Sequence, residues 1–234
     1  MKITNLVLPA LLLSASASAF AVPNLGTILG NPAASGYTDT GYEAGKLTDE
    51  DATNDDTTAF LFLEMAGYKA NNTFGIYSYS RNGSGDVVVG DMLDVFAGSD
   101  SAITSATIHF DLVAGTATNQ TTSETRNIGS QFGFYLKNTV NDGGFTWYSH
   151  TELNADGYDH MLMFDTADNS VPTLFGSDLV LAFEDLCDTD CKNDGDFNDL
   201  VVGMSDVLPV PEPGTLALLG LGLVGLGAAR RRQA

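Results

Sequence analysis

Short apolar runs, each fenced by Gly, Asn, Asp or Ser, follow one another from residue 58 to residue 204: TAFLFLEMA, TFGIYSYS, DVVVGDMLDVF, AITSATIHFDLVAG, SQFGFYLKN, FTWYSH, DHMLMFD, DLVLAFE and FNDLVVGM. Several alternate with period two, as Phe74 and Ile76 do against Tyr77 and Tyr79. No long stretch with a 3.6-residue apolar period interrupts them. A chain patterned this way buries its apolar side chains by stacking strands in layers. The expected fold is all-β, an antiparallel β-sandwich or jelly roll of about eight to ten strands, with its end loops left to carry function. RNGSGD (81–86) marks a turn, and TATNQTTSETRN (116–127) is expected to be a polar loop. Residues 22–57, rich in Gly, Asp and Thr, are expected to form an irregular acidic lead-in, and residues 58–208 the sandwich domain.

Both ends carry processing text. Lys2, an apolar run from Leu6 to Leu13 and the small-residue site Ala19-Phe20-Ala21 predict a secretory signal peptide over residues 1–21, cleaved after Ala21. At the other end, residues 214–229 carry no charge and are followed at once by Arg230, Arg231 and Arg232. As a helix this segment rises roughly 24 Å, close to a membrane span of about 17 to 25 residues. It is apolar all round, which argues against an amphipathic core helix, and the arginines set the tail on the cytoplasmic side. With Val210, Pro211, Glu212 and Pro213 ahead of it, the segment 209–234 resembles the PEP-CTERM sorting signal. That resemblance implies an exported protein of a Gram-negative bacterium and an exosortase-type sorting enzyme as partner. It also implies a transient inner-membrane anchor, cleavage near the Pro-Glu-Pro, and a final place in the periplasm, at the cell surface or in an exopolysaccharide matrix.

Residues 22–208 carry 29 acids against 6 bases, a net charge of −23. Such a surface repels nucleic acid and anionic headgroups, which excludes both as partners, and attracts divalent cations. The acids are densest in FEDLCDTDCKNDGDFNDLVV (183–202), where Glu184, Asp185, Asp188, Asp190, Asp194, Asp196 and Asp199 face one cation, Lys192, between two strand-like runs. Carboxylates crowded between buried strands must take up protons or admit a counter-charge. A Ca2+ ion supplies one, accepting six to eight oxygen ligands in flexible geometry. Oxygen-only donors disfavour softer metals. The stretch is not an EF-hand: counted from Asp188, Lys192 falls at position 5, Asn193 at the glycine position and Asp199 where a bidentate Glu belongs. Asp188 and Asp190 read equally well as solvated loop charge. Cys187 and Cys191, in an oxidising compartment, suit a disulfide; a thiolate metal site is the alternative, and Cα separation decides.

FEDL, an acidic insert and DGDFNDLVV together resemble the C-terminal signature of the DUF4114 family of exported domains, and NADGYDHMLMF (154–164) resembles its second signature. The likeness extends over residues 129–204. It implies a β-sandwich with a calcium site and no assigned reaction. The ligand candidates carried over are Glu184, Asp185, Asp194, Asp196 and Asp199, with Asn154, Asp156 and Asp159 from the other signature. Asp185 heads the set, because it ends a buried strand where an unpaired charge is costly. For Asn154, Asp156 and Asp159 an Asx-rich turn explains the text as well.

Catalytic motifs are wanting. Asp159 beside His160 invites an acid–base reading, but a hydrogen-bonded structural histidine is expected; His109 and His150 have no ligand spacing. No G-x-S-x-G, H-E-x-x-H or P-loop text occurs. Trp147, Tyr148 and Tyr135 could stack on sugar, though their alternation suits core packing. The expected function is that of a non-catalytic, calcium-stabilised surface or matrix protein acting in matrix structure, adhesion or polysaccharide association. The alternative is a carbohydrate-active hydrolase using paired carboxylates.

Overall fold

The computed structural model describes residues 25–29, 41–48, 54–64, 69–100, 102–140, 144–168, 175–186 and 194–211. One helical turn, α1 (Leu25–Ile28), precedes thirteen strands: β1 (Tyr42–Leu47), β2 (Asn54–Glu64), β3 (Asn72–Arg81), β4 (Val87–Ala97), β5 (Thr104–Asp111), β6 (Thr116–Asn119), β7 (Glu124–Asn127), β8 (Gln131–Asn138), β9 (Phe145–Tyr148), β10 (Met161–Asp165), β11 (Leu179–Phe183), β12 (Leu200–Met204) and β13 (Val207–Pro211). They form two antiparallel sheets. One runs β13-β1-β8-β3-β4, with β9 also paired to β8; the other runs β10-β11-β12-β2-β5-β6-β7. On one edge of β8, β1 takes the first residues and β9 the last four.

The inner faces meet in one core. Phe74, Ile76, Phe132, Phe134 and Leu136 from the first sheet pack with Leu61, Ile108, Phe110, Leu181, Phe183 and Val202 from the second. The second sheet is covered on its outer face as well. There Leu25 and Leu29 of the α1 segment lie with Leu162, Phe164, Val180, Ala182 and Val201. Burial on both faces explains why LVLAF and LVVGM are continuous apolar runs, each buried at every position. Across β3 and β8, Gly75 stands opposite Tyr135 and Gly133 opposite Tyr77, and each tyrosine ring lies over its glycine.

Three details depart from the sequence reading. The lead-in is structured in part: it supplies α1, all of β1 and the start of β2. Residues 116–127 are a hairpin, β6 and β7, and not a loop. Its threonines are β-branched and fit a pleated surface without apolar alternation. The strands exceed the expected eight to ten because β1, β7 and β13 are short, polar or proline-containing pieces with weak local signal. The signal peptide with its Ala21 site, Cys187 and Cys191, Glu212 and Pro213, and the apolar segment 214–229 lie outside the described residues.

Candidate metal centre

Strand register builds the site. Phe183 of β11 pairs with Leu200 of β12, and Met161 of β10 pairs with Phe183. The residues just beyond, His160, Glu184 and Asp199, therefore stand in a row at one end of the second sheet. Between β11 and β12 the chain returns through Asp194 to Asp199. In this return Gly195 and Phe197 both hold left-handed backbone, at φ 66° and 49°. Glycine takes that conformation freely, whereas phenylalanine takes it only when its surroundings impose it. Phe197 is held by packing beside the α1 cluster and against the Tyr158 ring, and Leu25 N–H donates to the Asp196 carbonyl at 3.1 Å.

The result is a convergence of oxygens. One carboxylate oxygen from each of Glu184, Asp194 and Asp196 lies within 4.8 Å of the others. Glu184 is fully buried, and among the described residues no N–H or O–H reaches either of its carboxylate oxygens. The Asp199 carboxylate faces it, but two carboxylates bond only through a shared proton. Burial first, then the charges of Asp199, Asp194 and Asp196, pushes the Glu184 carboxyl up to about 9. Asp196 is pushed up to about 6 by burial and by Asp194. Burial also raises Asp199, against the opposing pull of the Asp185 N–H, which donates to its Oδ2 at 2.9 Å. This donor set is all hard oxygen, the kind of ligand Ca2+ accepts.

The other expected ligands go elsewhere. Asp185 is engaged outside the converging group: its Oδ2 accepts from Asn72 Nδ2 at 3.0 Å, and Asn72 in turn accepts from Asn138. Asn154 closes its own turn, accepting from Tyr148 N–H and donating to the carbonyls of Tyr148 and Tyr158. Asp156 accepts from Tyr158 N–H and pairs with His160 Nε2 at 3.0 Å, while Asp159 accepts from Met161 N–H. Asp185, Asp156 and Asp159 are not in the group of converging carboxylates found among the described residues.

Two residues read from the sequence as ordinary packing shape the site. His160 donates through Nδ1 to the Glu184 carbonyl at 2.9 Å, and Trp147 Nε1 donates to the Asp185 carbonyl at 2.9 Å. Their rings stack at 3.8 Å and 6°. Together they fix the backbone that aims Glu184. Asn72 is the third contributor, and nothing local in the sequence marks it: it lies 113 residues from its partner Asp185.

Among the described residues no helix is long and apolar enough to cross a membrane. Residues 209–232 match the PEP-CTERM protein-sorting motif. No curated protein and no solved structure matches the chain. The motif is recognised by exosortase-type sorting enzymes and implies a protein exported by a Gram-negative bacterium through a transient membrane anchor.

Proposed function

We propose that the folded body is a calcium-stabilised, non-catalytic module of an exported protein, destined for the cell surface or an extracellular matrix. Glu184, Asp194 and Asp196 would hold the ion, with Asp199 beside them, and the ion would remove their mutual repulsion and fix the β11–β12 end of the sandwich. The observation that carries this reading is Glu184, a fully buried carboxylate to which no donor is offered among the described residues. A buried charge in that condition needs a proton or a cation. The DUF4114-like signatures and the sorting motif point the same way. Matrix structure, adhesion and polysaccharide association are the roles such a rigid, strongly acidic module suits. Among the described residues, the cavity of about 380 Å3 lined by Lys137, Asn138, Thr139, Gly144, Phe145 and Thr146 offers no carboxylate to support the hydrolase alternative.

Thermal unfolding of the exported domain in calcium and in chelator tests this. At about a hundred times Kd, calcium is expected to stabilise by about 2.7 kcal/mol, or roughly 5 to 10 °C in Tm. The Asp194→Asn/Asp196→Asn variant should lose that response. Trp147, the chain's one tryptophan, touches the site through Asp185, so its fluorescence should change over the same titration. Identical melting curves with and without calcium would refute the proposal.

A further inference from the structure

We infer that the fold clasps its own sorting peptide, so that an exosortase-type enzyme can act only after the end of β13 has left β1. The matched sorting motif begins at residue 209, inside the folded body. Its first three residues are the last three of β13, paired antiparallel to β1: Pro209 with Gly45, Val210 with Ala44, Pro211 with Tyr42. Val207 and Pro209 are buried, and Val207 packs into the core. Gly45 is matched to this contact, since a Cβ there would come within 2.7 Å of Val207 Cγ1 and 2.9 Å of the Phe134 ring. Fold and motif therefore compete for the same three residues.

An enzyme that processes a peptide needs it extended, with its backbone groups free. It could instead add a strand to the outer edge of β13, the end strand of its sheet. Pro209 and Pro211 have no N–H, which leaves alternate positions of that strand without a donor and makes it a poor template for such pairing. Peeling is the remaining route, and the structure supplies a starting point. A register shift between Tyr42 and Ala44 separates the last pair, Tyr42 with Pro211, from the regular ladder, and Pro211 is exposed. Sorting is thereby coupled to local opening of the β1–β13 end, a device that does not depend on the cation.

The test uses the full-length chain and membranes containing an exosortase-type enzyme, with processing followed by the change in mass. One variant, Ala44→Cys/Val210→Cys, ties the strands together when oxidised. A second inserts a flexible spacer of about six Gly and Ser residues between Leu208 and Pro209, freeing the motif while leaving Val207 docked. The spacer variant is expected to be processed roughly tenfold faster than the parent, equivalent to about 1.4 kcal/mol of local opening. The oxidised cysteine variant should be slower than its own reduced form by at least about the same factor, with the parent unaffected by the reductant. Because the same molecule is compared before and after reduction, a folding defect does not mimic the effect. Equal rates for the oxidised and reduced forms, or a spacer variant no faster than the parent, would overturn the inference.

Discussion

In chelator, the domain is expected to lose stability as pH rises from about 6.5 towards 9, by about 1.4 kcal/mol for each pH unit. The cause is Glu184, whose carboxyl is raised from 4.5 to about 9 in the fold by burial and by Asp199, Asp194 and Asp196. A raised carboxyl keeps its proton when folded and gives it up when unfolded. Its contribution is therefore fully present below 4.5 and is lost as pH climbs through 9. Asp196, raised to about 6, acts in the same sense at lower pH. His150 acts in the opposite sense. Burial and the nearby Arg81 lower it to about 4, so its contribution is present above the ordinary value of 6.5 and is lost as pH falls through 4. Its Nδ1 bonds to Tyr77 Oη at 2.5 Å, and among the described residues its Nε2 has no hydrogen-bond partner. His150 offsets only one of these carboxyls below pH 6.5; above that pH it no longer contributes a slope, which leaves the window to Glu184 and its partner Asp199.

Calcium should abolish that slope, because an ion holding the carboxylates ionised removes the difference in bound protons. The Glu184→Gln variant separates this from other causes. In chelator at pH 8 it should be more stable than the parent, since a neutral amide needs no proton taken up on folding; in calcium it should be less stable, since a ligand is gone. Chemical denaturation at three pH values, with and without calcium, reads both. A parent protein whose metal-free stability is flat or rising between pH 6.5 and 9 would remove Glu184 as the controlling group.

Substituting Gly75 is the second large effect. An alanine there would drive its methyl into the Leu93 carbonyl oxygen and the Tyr135 hydroxyl. The first is backbone of the neighbouring strand and has no rotamer to escape into. The second is tied down, because the Tyr135 hydroxyl donates to Asp94, which also accepts from Lys137. Gly75→Ala is expected to cost about 3 kcal/mol, near the top of the range for overpacking, or roughly 6 to 12 °C in Tm for a domain of this size. Gly133→Ala meets the Tyr77 ring, whose hydroxyl is held by His150, and should cost a comparable amount. Gly83 is the control: nothing lies within 4 Å of a Cβ there, and Gly83→Ala should be nearly neutral. If Gly75→Ala melts like Gly83→Ala, then the tyrosine–glycine pairing is not what fixes the spacing of β3 and β8.

Much of the architecture was legible because strand signals are local. Runs such as LVLAF and LVVGM declare themselves within five residues, and Asn82-Gly83 announces the turn between β3 and β4. The acidic stretch, likewise, could be recognised as a place where charge must be neutralised. Which carboxylates share that task was not legible. Asp185 headed the candidates on sequence, yet it accepts from Asn72 across the sandwich, while among the described residues it is Glu184 that is left without a donor.

The chain's own text was enough to set an all-β body, its acidic charge and the sorting motif at residues 209–232, because periodicity, composition and short motifs are carried by neighbours in sequence. Only the tertiary structure decided that Glu184, Asp194 and Asp196 converge, that Phe197 takes a left-handed backbone, and that Pro209 to Pro211 belong to a sheet as well as to a signal. Those outcomes depend on where side chains point at the ends of strands and on what distant strands place opposite them, and no local pattern encodes that direction.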